Sequence, residues 1–115
     1  MNKQITGSFF SNVEFNAARP AISVILETSN SKEIRILLAS GQIMKAHKAP
    51  YPITVQVLDG EIEFGVMGET LILKQGDIIA LESNVVHDLK GAVDSNIRLT
   101  LNKLDSAERV EKVID

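Results

Sequence analysis

Short runs in which polar and apolar residues alternate are the feature that most limits how this chain can fold. Residues 61–64 and 96–101 alternate at every position, and residues 33–36 do so before an apolar pair follows. Alternation with a period of two places the apolar side chains on one face of a strand, which is typical of half-buried β-strands. Residues 21–27 and 53–58 are rich in β-branched side chains and also favour strands.

Turn-forming residues separate these runs at short intervals. They occur at residues 29–31, 40–41, 59–60, 68–69, 75–77, 83–84 and 94–96. Asp59 and Gly60 lie between two alternating runs, which is a strong hairpin signal. Many short strands with regular turns predict an all-β sandwich or barrel.

Length and charge narrow the class of protein further. The chain has 115 residues, and we expect residues 1–115 to form one domain that folds without disulfides or a structural metal. The formal net charge is −3, and the neighbouring Lys45 and Lys48 do not make a basic face for nucleic acid. We therefore expect no nucleic-acid partner.

Three absences limit the chemistry and the location that we expect. The chain contains no cysteine, which excludes disulfides, thiolate metal sites and cysteine nucleophiles and fits a reducing compartment. No stretch approaches the ~18 consecutive apolar residues that a membrane helix needs. The N-terminus has no apolar run long enough for a signal peptide. We expect a cytoplasmic protein with no membrane partner.

Helix signals occur only near the C-terminus. Asp105 followed by Glu108 predicts a capping box, and Val110, Val113 and Ile114 have helical spacing. Because the segment is short, it forms either a packed terminal helix or a frayed tail. The expected fold is one all-β domain with a short C-terminal appendage.

The chain has two histidines, and alternation assigns a direction to one of them. In a strand, Val85, His87 and Leu89 share one face, and because that face is apolar His87 is expected to point inward. His47 precedes Pro50 in a stretch that we interpret as a bent strand entry or a loop, so alternation assigns it no direction. A single histidine on an apolar face is more often a core residue than a ligand.

The residues around His47 resemble the first signature motif of the cupin superfamily. That motif reads glycine, five residues, histidine, one residue, histidine, three residues, glutamate, six residues, glycine. Here the same spacing runs from Gly41 through His47 to Gly60. Ala49 and Ile53 stand where the second histidine and the glutamate would be.

The residues around His87 resemble the second motif of the same superfamily. That motif reads glycine, five residues, proline, one residue, glycine, two residues, histidine, three residues, asparagine. Gly76 and His87 match it, whereas Glu82, Asn84 and Gly91 replace the proline, the glycine and the asparagine. The 15 residues between the two motifs match the spacing of small cupins.

The resemblance covers residues 41–91 and implies a small single-domain, RmlC-like cupin, that is, a double-stranded β-helix or jelly-roll barrel of two packed antiparallel sheets. In metal-binding cupins the ligands are usually three histidines and a glutamate, of which this chain keeps His47 and His87. Two imidazoles and water would hold a divalent ion such as zinc, nickel, iron or manganese weakly and with poor selectivity.

A third metal ligand would have to come from one of four polar residues. These are Gln56, Glu63, Glu82 and Asp88. Glu63 alternates with apolar neighbours, Gln56 and Asp88 lie on the strand faces opposite the apolar ones, and Glu82 is at a turn. We expect all four to be solvated or to have turn roles.

We expect the two histidines to come from facing strands and to approach each other across the barrel interior. The residues expected to line one pocket are His47, His87, Ala49 and Ile53. Neutral imidazoles in an apolar pocket suit a small polar ligand, a bridging water or a loosely held divalent ion. Lys45 and Lys48 near the mouth would favour an anionic ligand.

Three functions remain open at this point. The first is a cupin barrel that binds a small molecule or a weakly held divalent metal without an assigned activity. The second is a metal-dependent cupin enzyme, a dioxygenase or an isomerase, with an altered metal site. The third is a sensory or partner-binding cupin module. The substrate and the pathway are not predictable from the sequence.

Several strands carry apolar residues on both faces, which predicts a homodimer. Residues 36–38, 78–81 and 85–86 are the clearest cases. A strand that is apolar on both faces needs cover outside the barrel, and a second subunit can supply it.

Overall fold

The computed structural model describes residues 4–114, and its architecture is almost entirely β. The strands in that range are β1 (Ala21–Glu27), β2 (Ser31–Leu38), β3 (Ile43–His47), β4 (Ile53–Asp59), β5 (Glu61–Val66), β6 (Glu69–Lys74), β7 (Ile78–Leu81), β8 (His87–Gly91) and β9 (Ser95–Asn102). A short helix, α1 (Ala107–Glu111), follows β9.

The strands form two antiparallel sheets. One has the order β1-β2-β9-β4-β7 and the other the order β3-β8-β5-β6. Their apolar faces share one core, whose fully buried members include Ile34, Val57, Ile62, Phe64 and Ile97. The predicted all-β jelly-roll barrel of two packed antiparallel sheets is confirmed.

The turn after β4 does not make the hairpin that Asp59 and Gly60 predict. β4 and β5 lie in different sheets, so the turn carries the chain from one sheet to the other. Gly60 has a φ of +98°, and a Cβ there would lie 2.6 Å from the carbonyl oxygen of Asp94. The glycine therefore serves a left-handed turn and a close backbone approach at once.

The C-terminal segment is a packed helix, which settles the alternative between helix and tail. Its N-cap is Ser106, whose hydroxyl accepts a hydrogen bond from the backbone N–H of Arg109, so the predicted capping box at Asp105 is wrong. Val110 and Val113 are buried in the barrel core. No helix within residues 4–114 has the length and apolar character needed to cross a membrane.

The N-terminal residues 4–20 form no helix or strand and are fastened to the outer face of the five-stranded sheet. The Arg35 guanidinium donates to the carbonyl oxygen of Ser11 at 2.7 Å, and the Asn96 amide donates to that of Phe9 at 2.7 Å. Arg35 alternates with core residues of β2, so it points away from the core. The segment thus covers part of this face within a single chain.

Candidate functional site

The two histidines lie side by side on neighbouring strands. His47 ends β3, His87 begins β8, and the two are paired across the ladder between these strands. The expectation that they come from facing strands is wrong, because both strands belong to the four-stranded sheet. His87 is 3% exposed, as its alternation predicts, and His47 is half-buried.

A β-bulge explains why the direction of His47 could not be predicted. The ladder between β3 and β8 shifts register between Met44 and His47. Met44 is buried, and the two residues that follow it, Lys45 and Ala46, are both exposed. Strict alternation would have turned Ala46 inward, whereas the extra residue turns His47 toward His87 instead.

Three rings form one contiguous group inside this end of the barrel. The ring centroids of His47 and His87 are 4.2 Å apart, with their planes inclined by 58°. Phe64 lies on the other side of His87, with a centroid distance of 5.5 Å and planes only 7° apart. Because Phe64 is fully buried, it fixes the position of the His87 ring.

Both imidazoles use the same nitrogen for a local hydrogen bond. Nδ1 of His47 lies 2.7 Å from the carbonyl oxygen of Lys45, and Nδ1 of His87 lies 2.9 Å from that of Val85. A carbonyl oxygen can only accept, so Nδ1 carries the proton in each ring. Each Nε2 is then a lone-pair acceptor, so the one ring nitrogen of each histidine that is not bonded to a backbone carbonyl accepts rather than donates.

Burial keeps both rings neutral. It lowers the pKa of His47 to about 4, against a weaker opposing effect of the hydrogen bond to Lys45, and the charges of His87 and Arg109 lower it further. Burial is also the main cause that lowers the pKa of His87. Both imidazoles are therefore unprotonated at neutral pH.

Arg109 is a neighbour of the histidines that the sequence did not bring to notice. It lies on α1, and its Nη1 is 3.5 Å from the carbonyl oxygen of Lys48. Its Nε and Nη2 donate to the two carboxylate oxygens of Asp105, each at 2.7 Å. The four-residue spacing between Asp105 and Arg109 was a usable signal for this ion pair.

Ala49 and Ile53 belong to the apolar core. They are 3% and 5% exposed, and Ile53 shares its strand face with Val55 and Val57, as alternation predicts. The positions that hold the second histidine and the glutamate in metal-binding cupins are thus occupied here by buried hydrocarbon.

The donor set does not fit a tightly held metal. Within residues 4–114 no group of three or more histidine, aspartate or glutamate side chains is placed to hold one. Asp88 and Glu82 are exposed, and Glu63 and Gln56 are half-exposed on outward positions of their strands. Because a catalytic zinc or iron site normally takes three protein ligands, two imidazoles alone do not form one.

A cavity of about 640 Å³ opens beside His87. Its walls are the end of β5, the turn that follows, the start of β6 and residues 85–88. A second cavity, of about 280 Å³, is lined by Ile53 together with residues of β4, β7 and β9. In the described structure His47, Ala49, Lys45 and Lys48 line neither of these two cavities.

The fold and the inward histidines define a small jelly-roll barrel with a candidate ligand site at one end. The cupin domain family model matches residues 34–102, which is more than half of the chain, and the chain therefore belongs to the cupin family. The predicted resemblance to small single-domain cupins is confirmed.

Solved structures agree with this assignment. An RmlC-like cupin protein from Desulfovibrio desulfuricans is 19% identical, with a TM-score of 0.79 over 87% of this chain and 97% of that chain. A conserved protein with a double-stranded β-helix domain from Klebsiella pneumoniae is 27% identical, with a TM-score of 0.73 over 88% and 90%. KdgF from Halomonas sp. is 18% identical, with a TM-score of 0.71 over 90% and 99%. No curated protein matches the chain.

Proposed function

We propose that this cupin binds a small molecule that donates hydrogen bonds to the Nε2 atoms of His47 and His87. The observation that carries the proposal is that both Nδ1 atoms are bonded to backbone carbonyls, which leaves Nε2 of each neutral ring as an acceptor. The centroids of the two rings are 4.2 Å apart. A cavity of about 640 Å³ beside His87 is within the size range of small-molecule sites. Hydroxyl and N–H groups are the donors that such acceptors bind.

A paired substitution at His87 tests this proposal. In His87→Asn the side-chain amide nitrogen can replace Nδ1 and keep the bond to the Val85 carbonyl, but no group remains in the place of Nε2. In His87→Gln the longer side chain keeps a polar atom near the Nε2 position. The measurement is the melting temperature of the two variants and the native protein against a panel of small alcohols, polyols and amines.

We expect at least one compound to stabilise the native protein, and the asparagine variant to lose that stabilisation while the glutamine variant keeps part of it. The near-ultraviolet circular dichroism signal from Tyr51 is first compared between each variant and the native protein to establish that the variant is folded. Undiminished stabilisation of a folded His87→Asn protein would contradict the proposal.

A weakly held divalent ion is the second occupant that the same nitrogens would accept. Its support is the donor set of two neutral imidazoles, and weak binding is expected because no third ligand joins them among residues 4–114. Calorimetric titration with Zn²⁺, Ni²⁺, Fe²⁺ and Mn²⁺ should give weak binding that a chelator reverses. A tightly retained metal after purification without chelator would favour the cupin enzyme with an altered metal site instead.

We also propose that the protein is a cytoplasmic homodimer. The cysteine-free composition is compatible with a reducing compartment, which supports the location. Ile78 on the outer face of the five-stranded sheet is 59% exposed, which supports the dimer. The argument from Leu37 no longer applies, because that side chain is buried within the single chain. Cell fractionation tests the location, and light scattering of the native protein and of Ile78→Lys tests the dimer.

A further inference from the structure

Arg35 is a buried cation that has no carboxylate partner within residues 4–114. It is 7% exposed, and the ion pair on its sheet face joins Glu33 to Arg98 instead. Removing a guanidinium from water is costly unless a countercharge or several hydrogen bonds replace its hydration. Among the described residues, only neutral groups do so for Arg35.

These neutral groups are three backbone carbonyls of the N-terminal segment. Nη1 of Arg35 donates to the carbonyl oxygen of Ser11 at 2.7 Å and to that of Phe9 at 3.4 Å, and Nη2 donates to that of Asn12 at 3.3 Å. Nε is buried and has no hydrogen-bond partner in the described structure. A carboxylate or phosphate oxygen would bind the same donors roughly twice as strongly as a neutral carbonyl does. The carbonyls thus lie where an oxyanion would bind better.

Asn96 adds a second buried donor at the same place. It is 2% exposed, and its amide nitrogen donates at 2.7 Å to the carbonyl oxygen of Phe9, which also receives Nη1 of Arg35. The ladder between β2 and β9 pairs Arg35 with Arg98 and Leu37 with Asn96, so Arg35 and Asn96 share the outer face of the sheet. Donors from two neighbouring strands therefore converge on one oxygen atom, as they would on an oxygen of a bound anion.

The N-terminal segment is held on this face by few contacts. Residues 4–19 are exposed apart from the half-buried Phe9, and no backbone–backbone hydrogen bond in the described structure joins residues 4–20 to the barrel. Asn12 has a φ of +53°, a conformation that residues other than glycine rarely adopt. A segment with few buried contacts opens at a lower free energy than the core does.

We propose that residues 4–20 form a displaceable strap over an oxyanion site made by Arg35 and Asn96. When the strap lifts, its carbonyls leave the guanidinium, and a carboxylate or phosphate group accepts two parallel N–H bonds from Arg35 and one from the Asn96 amide. Because strap and anion use the same donors, an anion that binds the site opens the strap. The site lies on the outer face of the five-stranded sheet, so this inference is independent of the function proposed for His47 and His87.

Titration with two small oxyanions tests the inference. Sodium phosphate and sodium acetate are each added to ~50 mM to isotopically labelled full-length protein, in exchange for sodium chloride at constant ionic strength, while backbone amide shifts are followed. We expect the amides of residues 9–12, 35 and 96 to shift together and to saturate with at least one of the two anions. The anion that produces the shifts identifies the group that the site binds, phosphate or carboxylate.

Two variants should change this binding in opposite directions. Proline cannot adopt a φ of +53°, so Asn12→Pro should open the strap and strengthen anion binding about three- to tenfold. Its matched control is Asn12→Gly, which accepts this φ and should bind no more tightly than the native protein. Arg35→Met removes the guanidinium and should abolish the shifts. Lys103→Met removes an equal charge from an exposed residue and should leave them unchanged.

The barrel amides report first whether each variant is folded, and if Arg35→Met is not, the two Asn12 variants decide. Shifts that persist in a folded Arg35→Met protein, or that chloride produces equally, would overturn the inference. Weaker binding in Asn12→Pro than in Asn12→Gly would also overturn it, because the segment would then be part of the site rather than its cover. Absence of shifts with both anions in the native protein and in Asn12→Pro would overturn it as well.

Discussion

Two polar clusters of this barrel differ in how many hydrogen bonds their side chains make within the chain. On the outer face of the five-stranded sheet, Glu33 accepts hydrogen bonds from Arg98 at 2.9 Å, from Thr100 at 2.6 Å and from Ser31 at 3.1 Å. At the end of the four-stranded sheet, the two histidines each bind a backbone carbonyl through Nδ1. Glu33 thus accepts three hydrogen bonds from within the chain, whereas each imidazole makes one and has a second nitrogen that can accept another.

The difference separates a polar group that stabilises the fold from one that is available to a ligand. Both clusters are buried enough to shift pKa values, so burial alone does not tell them apart. The number of hydrogen bonds made within the chain does, because the Glu33 carboxylate accepts three whereas each imidazole makes one and keeps an acceptor nitrogen for a ligand or water.

The largest effect on stability is expected when a carboxylate is placed in the apolar wall around residue 53, where it has no hydrogen-bonding partner. Ile53 is 5% exposed in an apolar wall, so Ile53→Glu should lower the free energy of unfolding by about 3–5 kcal/mol, measured by urea denaturation at pH 7. Ile53→Leu, which keeps the wall apolar, should cost less than about 1.5 kcal/mol.

Repeating the Ile53→Glu measurement with Zn²⁺ sharpens the result. In cupins that hold a metal, the residue at this position is a ligand, so a carboxylate facing the two imidazoles would be stabilised by the ion. Because Ile53 lines the second cavity and His87 the first, we expect no recovery. Recovery with Zn²⁺ would place residue 53 at the histidine pocket.

A smaller loss of stability is expected when the cluster around Glu33 loses its carboxylate. Glu33→Ala leaves Arg98 and Thr100 without their carboxylate and should cost about 1–3 kcal/mol in urea. Burial alone would raise the pKa of Glu33, but the hydrogen bonds and the charge of Arg98 outweigh it and leave the pKa below its usual value. The native protein should therefore lose this contribution as pH falls through that lowered pKa, and Glu33→Ala should not.

The histidine pair should make the stability of the protein depend on pH in a higher range than Glu33 does. Since burial lowers both pKa values below the ordinary 6.5, the unfolded chain binds protons more readily than the folded one. The stability from the neutral rings is complete above pH 6.5 and is lost as pH falls toward the His47 pKa of about 4. Melting temperatures between pH 7 and pH 4.5 should fall less steeply in a His47→Gln and His87→Gln double variant than in the native protein.

The smallest effect is expected for the carboxylate at the cavity wall. Asp88 is exposed, so Asp88→Asn should change the free energy of unfolding by less than about 0.5 kcal/mol. A loss larger than that of Glu33→Ala would show that Asp88 belongs to a structural cluster, and the contrast between the two regions would then be mistaken.

Most of the strand framework was predictable because alternation is a local property. β1 has the predicted bounds, and the inward direction of His87 follows from its own strand. The role of Gly60 was not predictable, because an aspartate–glycine pair serves equally in a hairpin and in a crossing between sheets. Which of the two occurs depends on whether β4 pairs with β5 or with β7 and β9, which lie farther along the chain.

The candidate site was predictable only in part, for a similar reason. Glycine and histidine spacing drew attention to His47 and His87, but the bulge that turns His47 inward exists only in the pairing of β3 with β8. Phe64 reaches His87, and Arg109 reaches the carbonyl oxygen of Lys48 next to His47, through tertiary packing. Such contacts cannot be predicted from the pattern of neighbouring residues in the sequence.

The position of β3 at the edge of its sheet has a kinetic consequence. β3 has five residues and, among the described strands, pairs with β8 alone, whereas β8 is paired with β3 on one side and β5 on the other. Fraying of this short edge would move the His47 ring away and leave the His87 ring in place. The two imidazoles would then differ in mobility, and the lifetime of a bound ligand would follow the opening rate of one strand end rather than the stability of the barrel.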